Sequence, residues 1–144
     1  MSARLLSRRL VVSAALVVAV GCTRASTAPT TSVTFTTLDL VVGAGAPAAN
    51  GATVSMDYTI WLYNATKAEG KGLQVDTSAG KVPVSFQLGA GQVIYGLDVG
   101  MPGMKTGGTR RLTIPPLFAY GAQGSGVIPG NAAIVFEVTL RSVK

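Results

Sequence analysis

Apolar and polar side chains alternate strictly from Val54 to Tyr63. Val54, Met56, Tyr58, Ile60 and Leu62 fall on one face, and Ser55, Asp57, Thr59, Trp61 and Tyr63 on the other. This is the period of a half-buried strand. It turns Tyr58 inward, where a phenol needs a partner for its hydroxyl, and Trp61 outward. Val84, Phe86 and Leu88 alternate with Ser85 and Gln87 in a second strand, broken by Gly89-Ala90-Gly91. The Thr-rich, β-branched run Val33 to Val42 predicts a first strand or pair of strands, and Arg110 to Ile114 another, ended by Pro115-Pro116. Ala133 to Arg141 predicts the last, with Ile134, Phe136, Val138 and Leu140 on one face. Only Ile94 to Met101 reads as a helix, of about two turns; Leu97 and Met101 share its face, and Gly100 and Pro102 stop it. About five strands and one short helix predict an α+β fold, a twisted antiparallel sheet wrapped around the helix.

Outside these elements the chain is polar or glycine-rich. Asn64 to Gly72 predicts an exposed loop; its Asn64-Ala65-Thr66 matches a glycosylation sequon and carries little weight alone. Leu73 to Ser78 is left without an element. The amino terminus differs in kind. A short basic start, Met1 to Arg9, precedes eleven apolar residues, Leu10 to Val20. A membrane-spanning helix needs about 20, so the run reads as a secretory signal peptide. Ala19-Val20-Gly21-Cys22 resembles the lipobox of bacterial lipoproteins, with Ala19 where leucine is usual; the resemblance implies lipidation at Cys22. The other reading is an ordinary signal peptide followed by an incidental cysteine. Ser7-Arg8-Arg9 weakly resembles a twin-arginine signal. Thr23 to Ser32, rich in Thr, Ser, Ala and Pro, reads as a flexible spacer. The expected organisation is a signal peptide over 1–21, a lipidated cysteine and spacer over 22–32, and a folded domain over 33–144, exported and tethered to a bacterial membrane.

Composition narrows the chemistry. Histidine is absent and Cys22 is the single cysteine, which excludes a Ser-His-Asp or Cys-His triad and a zinc site of His and Cys. The six acidic residues are scattered without a recognisable pair spacing. No metal and no cofactor is expected. The formal net charge of +6 overstates the domain, because Arg4, Arg8 and Arg9 lie in the leader. The remaining basic residues are dispersed apart from Arg110-Arg111, so no nucleic-acid footprint forms.

The stretch from Phe86 to Phe136 is instead dense in aliphatics, aromatics and glycines, the make-up of an apolar pocket built on strands. It carries Gln92-Val93-Ile94-x-Gly96, Gly103-Met104-Lys105-x-Gly107-Gly108, Arg111-Leu112-x-Ile114-Pro115 and Ala119-Tyr120-Gly121. In this order the motifs resemble those of the FKBP-type peptidyl-prolyl isomerases, the macrolide-binding immunophilins, over about Gly51 to Val143. The resemblance implies an isomerase acting on proline-containing polypeptides, inhibited by macrolides, and working as a monomer. It implies aromatic walls at Tyr58 and Phe136, a pocket carboxylate at Asp76, a backbone N–H at Ile94 that receives a carbonyl, and a phenol at Tyr120 that meets another. It also implies substrate contacts from Val75, Val84, Val93 and Leu97, and an aliphatic entrance loop at Val127 and Ile128. Val75, Val84 and Leu97 stand where larger aromatics are usual, which implies a wider pocket. The loop between Tyr58 and Val75 is also longer than in compact members.

Asp76 beside Thr77-Ser78 would, without the resemblance, read as a turn-capping aspartate. The leading reading is an isomerase that assists folding of exported proteins. Two others stand beside it: an FKBP-like binding or chaperone module without useful turnover, and a passive surface lipoprotein.

Overall fold

The computed structural model describes residues 32–144. The expected signal peptide, Cys22 and the spacer as far as Thr31 lie outside the described residues. Six strands and one helix follow in order: β1 (Thr36–Val41), β2 (Thr53–Tyr63), β3 (Lys71–Thr77), β4 (Val84–Gln87), α1 (Tyr95–Gly100), β5 (Thr109–Ile114) and β6 (Ile134–Val143). Short 3-10 turns occupy Ala68–Gly70 and Pro116–Phe118. The strands form one antiparallel sheet in the order β1-β5-β6-β2-β3, with β4 also paired to β2. No described helix is long and apolar enough to cross a membrane.

Strand β2 organises the sheet. Its register on β6 sets Ile60 opposite Phe136 and Tyr58 opposite Val138, so the apolar faces of both strands coincide. Val54, Met56, Ile60, Ile134, Phe136, Val138 and Leu140 are buried on that face. At its other edge β2 changes partner. Residues Thr53 to Met56 pair with β4, and Thr59 to Tyr63 with β3. The gap at Tyr58 is filled by Ser78, a buried polar residue. Ser78 Oγ accepts the Tyr58 N–H at 2.9 Å, and the Tyr58 carbonyl accepts the Ser78 N–H at 2.9 Å. The ladder therefore continues through a side chain, as buried backbone groups require.

Helix α1 lies against β5. A Cβ on Gly96 would come within 2.6 Å of Ile114, and one on Gly100 within 2.8 Å of Leu112. These glycines let the helix approach the sheet closely, while Leu97 and Met101 fill the core. Gly100 is thus both the last residue of the helix, as its position predicts, and a packing residue. The chain turns at Gly103 (φ 83°), and Arg110 Nη1 caps the end by donating to the carbonyls of Gly100 and Pro102 at 2.8 and 3.2 Å.

The prediction of about five strands missed β3. This is an edge strand with register breaks around Trp61, and Leu73 on it is 71% exposed. Its strand character comes from pairing with β2, not from its own apolar pattern. The predicted loop over Asn64 to Gly72 shortens accordingly. Asn64 Oδ1 accepts the Thr66 N–H and hydroxyl there, at 3.0 and 2.7 Å, making a local turn. β1 is a sheet edge exposed along its length.

Candidate active site

A cleft of about 440 Å3 opens between the concave face of the sheet and α1. β2 contributes Met56, Tyr58 and Ile60, and β6 contributes Phe136. Strand alternation puts the three β2 residues on one face, and the register of β6 on β2 brings Phe136 beside them. β3 and β4 bring Asp76 and Val84; the turn into α1 brings Gln92, Val93 and Ile94; α1 itself brings Leu97; and the loop after β5 brings Tyr120. The Tyr58 and Phe136 rings pack with centroids 5.4 Å apart and planes tilted by 37°.

The polar groups divide into satisfied and open. Tyr58 Oη donates to Asp76 Oδ2 at 2.7 Å, so the half-buried phenol has its partner in this carboxylate. Asp76 Oδ1 accepts the Thr77 N–H at 2.7 Å, and Lys81 Nζ lies 3.6 Å away. Asp76 is therefore also a local turn residue. Its hydrogen bond from Tyr58 holds its carboxyl below the usual value, despite some desolvation. The same bond, reinforced by burial and the Asp76 charge, pushes Tyr58 up to about 12. Burial first, then the Asp76 charge, pushes the Tyr120 phenol up. At neutral pH the site holds one carboxylate and two neutral phenols.

Among the described residues, nothing accepts a hydrogen bond from the Ile94 N–H or the Tyr120 hydroxyl. Ile94 sits at the N-terminal cap of α1, with φ −59° and ψ 147°. Its carbonyl accepts the Leu97 and Asp98 N–H groups, at 3.0 and 3.3 Å, which leaves its own N–H outside the helix. The Ile94 N–H and the Tyr120 hydroxyl are thus donors without partners at an apolar hollow, beside the Val93 N–H and Gln92 Nε2, which also have none among the described residues.

Three expected wall residues lie off the lining. Val75 is half-buried against the core beside the cleft. Ile128 is 7% exposed and turned into the core. Val127 sits at the tip of a turn closed by reciprocal Ser125–Ile128 backbone bonds of 2.9 Å and is 72% exposed. That turn directs one side chain inward and the other to solvent, and neither side chain is among those that line the cleft. Val84 is 38% exposed at the rim, and Leu97 is buried at the floor. Met56, Ile60 and Gln92 line the cleft without having been named for it, although the alternation of β2 already turned the first two inward. Trp61 lies on the opposite face of the sheet, with Lys71 Nζ 4.6 Å from its ring centroid. No described group of acidic residues could hold a metal ion.

The family model described as "FKBP-type peptidyl-prolyl cis-trans isomerase" matches residues 45–141. The chain belongs to this family. An FK506-binding protein of Neisseria meningitidis serogroup B is 46% identical over 106 residues, covering 73% of this chain and 92% of its own length. Peptidyl-prolyl cis-trans isomerase FKBP15-3 of Arabidopsis thaliana is 47% identical over 100 residues, 69% of this chain and 66% of its own length. Among solved structures, AtFKBP13 superposes with a TM-score of 0.65 at 32% identity, covering 76% of this chain and 93% of that one. FkpA from Escherichia coli superposes at 0.63 and 35% identity, covering 76% of this chain and 48% of its own. The FKBP match begins at Gly45, beyond β1, and takes in every residue of the cleft.

Proposed function

We propose that this FKBP-family chain isomerises X-Pro bonds of exported polypeptides in the cleft, and that two of its open donors, the Ile94 N–H and the Tyr120 hydroxyl, hold the flanking carbonyls while the apolar walls favour the twisted bond. Turning a peptide bond costs about 18–20 kcal/mol because its resonance must be broken. The planar amide is more charge-separated than the twisted one. A dry apolar hollow therefore disfavours the ground state relative to the transition state. Leu97, Val93, Ile94, Tyr58 and Phe136 hold the proline ring, and Val84 borders it. Ile94 N–H and the Tyr120 hydroxyl fix the flanking carbonyls, so that only the prolyl bond turns.

No proton moves in this scheme. Asp76 is engaged by Tyr58 and Thr77. Its part is to hold the Tyr58 ring against Phe136 and to keep the phenol's proton from the substrate. Relatives carry the name FK506-binding protein, and we extend macrolide binding to the same cleft. Val75, Val127 and Ile128 belong to this reading only as residues that shape the neighbouring loops.

The test is isomerisation of an X-Pro tetrapeptide by the full chain beside Tyr120→Phe and Asp76→Ala. Turnover that falls in both variants supports the reading. Peptide binding without turnover in the unaltered chain would favour the binding-module alternative, to which the open rim at Val84 lends itself.

We further propose export through the leader, lipidation at Cys22, a tether up to Ser32, and action as a monomer at a bacterial membrane. Cys22→Ser should then move the protein from the membrane to the soluble fraction. Retention on the membrane would sink the anchor.

A further inference from the structure

In the turn that presents Ile94, residues 89–91 are Gly-Ala-Gly and carry no large side chain. Gly89 and Gly91 both adopt left-handed backbone, φ 79° and 68°. Such a segment needs an external tie to hold one shape. Asp98, one turn into α1, supplies it. Its Oδ1 accepts the Gly89 N–H at 3.0 Å and its Oδ2 the Gly91 N–H at 2.9 Å. A second tie closes the other side, where Gln92 Oε1 accepts the Gln87 N–H at 2.9 Å and Gln87 Nε2 donates to the Gly51 carbonyl at 3.1 Å. The Asp98 N–H itself donates to the Ile94 carbonyl. One residue thus grips both ends of the segment from Gly89 to Ile94.

We propose that Asp98 is a positioning residue for the isomerase reaction: it clamps residues 89–94 to α1 so that the Ile94 N–H points into the cleft. This rests on the reading of Ile94 given above. Asp98 does not line the cleft, so it acts through the loop and not on the substrate. A carboxylate is the group the geometry demands. Two N–H donors converge on two oxygens, and an amide would set its own N–H2 against one of them. Because the Ile94 N–H meets the substrate carbonyl before and during rotation, its misplacement weakens ground state and transition state alike. The loss then falls on KM and spares kcat.

The experiment uses the full chain with Asp98→Asn, an X-Pro tetrapeptide, and amide NMR of residues 89, 91 and 94. Asp98→Asn should speed hydrogen exchange at the Gly89 and Gly91 amides. It should shift the Ile94 amide in the free protein, and raise KM by about fivefold to tenfold with kcat nearly unchanged. Asp98→Glu keeps the carboxylate and should recover part of the loss. Gly91→Ala strains the same loop while keeping the Asp98 carboxylate, since the added Cβ meets nothing within 4 Å and the cost lies in its φ of 68°. It should reproduce the KM effect, and it decides the matter if Asp98→Asn fails to fold. Arg110→Met, which uncaps the far end of α1, should lower the melting temperature and leave KM alone. Faster exchange with an unmoved Ile94 amide and unchanged KM overturns the proposal, as does an equal KM rise in Arg110→Met. A wild-type chain that neither binds nor turns over the peptide sinks the isomerase reading instead. The Ile94 amide in the free variants then decides the clamp by itself.

Discussion

The two faces of the sheet each carry a hollow, and the larger one is not the one with open chemistry. On the outer face a hollow of about 520 Å3 is lined by Asp57, Thr59, Thr77, Glu137, Thr139 and Arg141, among others. Its polar groups have partners. The Thr59 and Thr77 hydroxyls lie 3.0 Å apart, as do those of Thr109 and Thr139, and Arg141 donates to Asp57. Beside it, Arg111 and Lys71 bridge Glu69 and Glu137 at 2.6 to 3.0 Å. The cleft on the inner face is smaller, but two of its donors have no partner among the described residues. An unmatched donor in apolar surroundings gains far more from an incoming carbonyl than a matched one in a polar groove. Matching of polar groups separates the binding face from the structural face; volume does not.

The harshest way to break this comparison is to open the inner wall. Phe136→Ala should cost about 3–5 kcal/mol in urea denaturation and abolish isomerisation, since a buried aromatic and a cleft wall go together. A loss below about 1 kcal/mol would mean that the inner face is loosely packed and the cleft not preformed.

On the outer face, Arg111→Met leaves two carboxylates short of a partner. It should lower the denaturation midpoint slightly, since Lys71 still pairs both carboxylates in solvent, with peptide turnover unchanged. A fall in turnover would show that the structural face communicates with the cleft.

Tyr120→Phe should do the opposite. It should lower kcat/KM by up to about tenfold without moving the denaturation midpoint, because the hydroxyl it removes has no hydrogen-bond partner among the described residues.

The smallest effect is on pH dependence, followed through the denaturation midpoint. The folded-state pKa of Tyr58 is raised from 10.0 to about 12, so its contribution is whole below pH 10 and is lost as pH rises through about 12. Asp76 is shifted the other way, below its usual 3.8. Its contribution is present above that value and disappears as pH falls through the lowered one. The outer face adds an alkaline loss of its own. Burial works against the Lys71 charge, but Glu137 and Glu69 together outweigh it and raise its pKa. Tyr58→Phe should therefore remove only part of the alkaline decline. If it removes all of it, the outer network contributes nothing measurable.

Much of this was legible in the chain because period-2 alternation survives wherever one face is buried and the other wet. β2, β4, β5, β6 and the inward turn of Met56, Tyr58 and Ile60 follow from it, as does Trp61 on the far side. β3 was not legible: an edge strand with an exposed Leu73 shows no apolar period. Gly100 ends the helix as its residue type predicts, but its close packing on Leu112 was not legible, because only the placement of the sheet decides it. Val127 and Ile128 looked like a pair, yet a tight turn sends neighbouring side chains to opposite sides.

The sequence by itself determined the family, the antiparallel α+β architecture and the inward face of the central strand, since these depend on local period and on motif order. Tertiary structure alone decided which polar groups would be left open. That Tyr58 engages Asp76, that Asp98 ties Gly89 and Gly91, and that Ile94 and Tyr120 keep free donors depends on contacts between strands, helix and loops. No local pattern encodes them, because a hydrogen bond is settled by where two distant segments meet and not by what either one prefers alone.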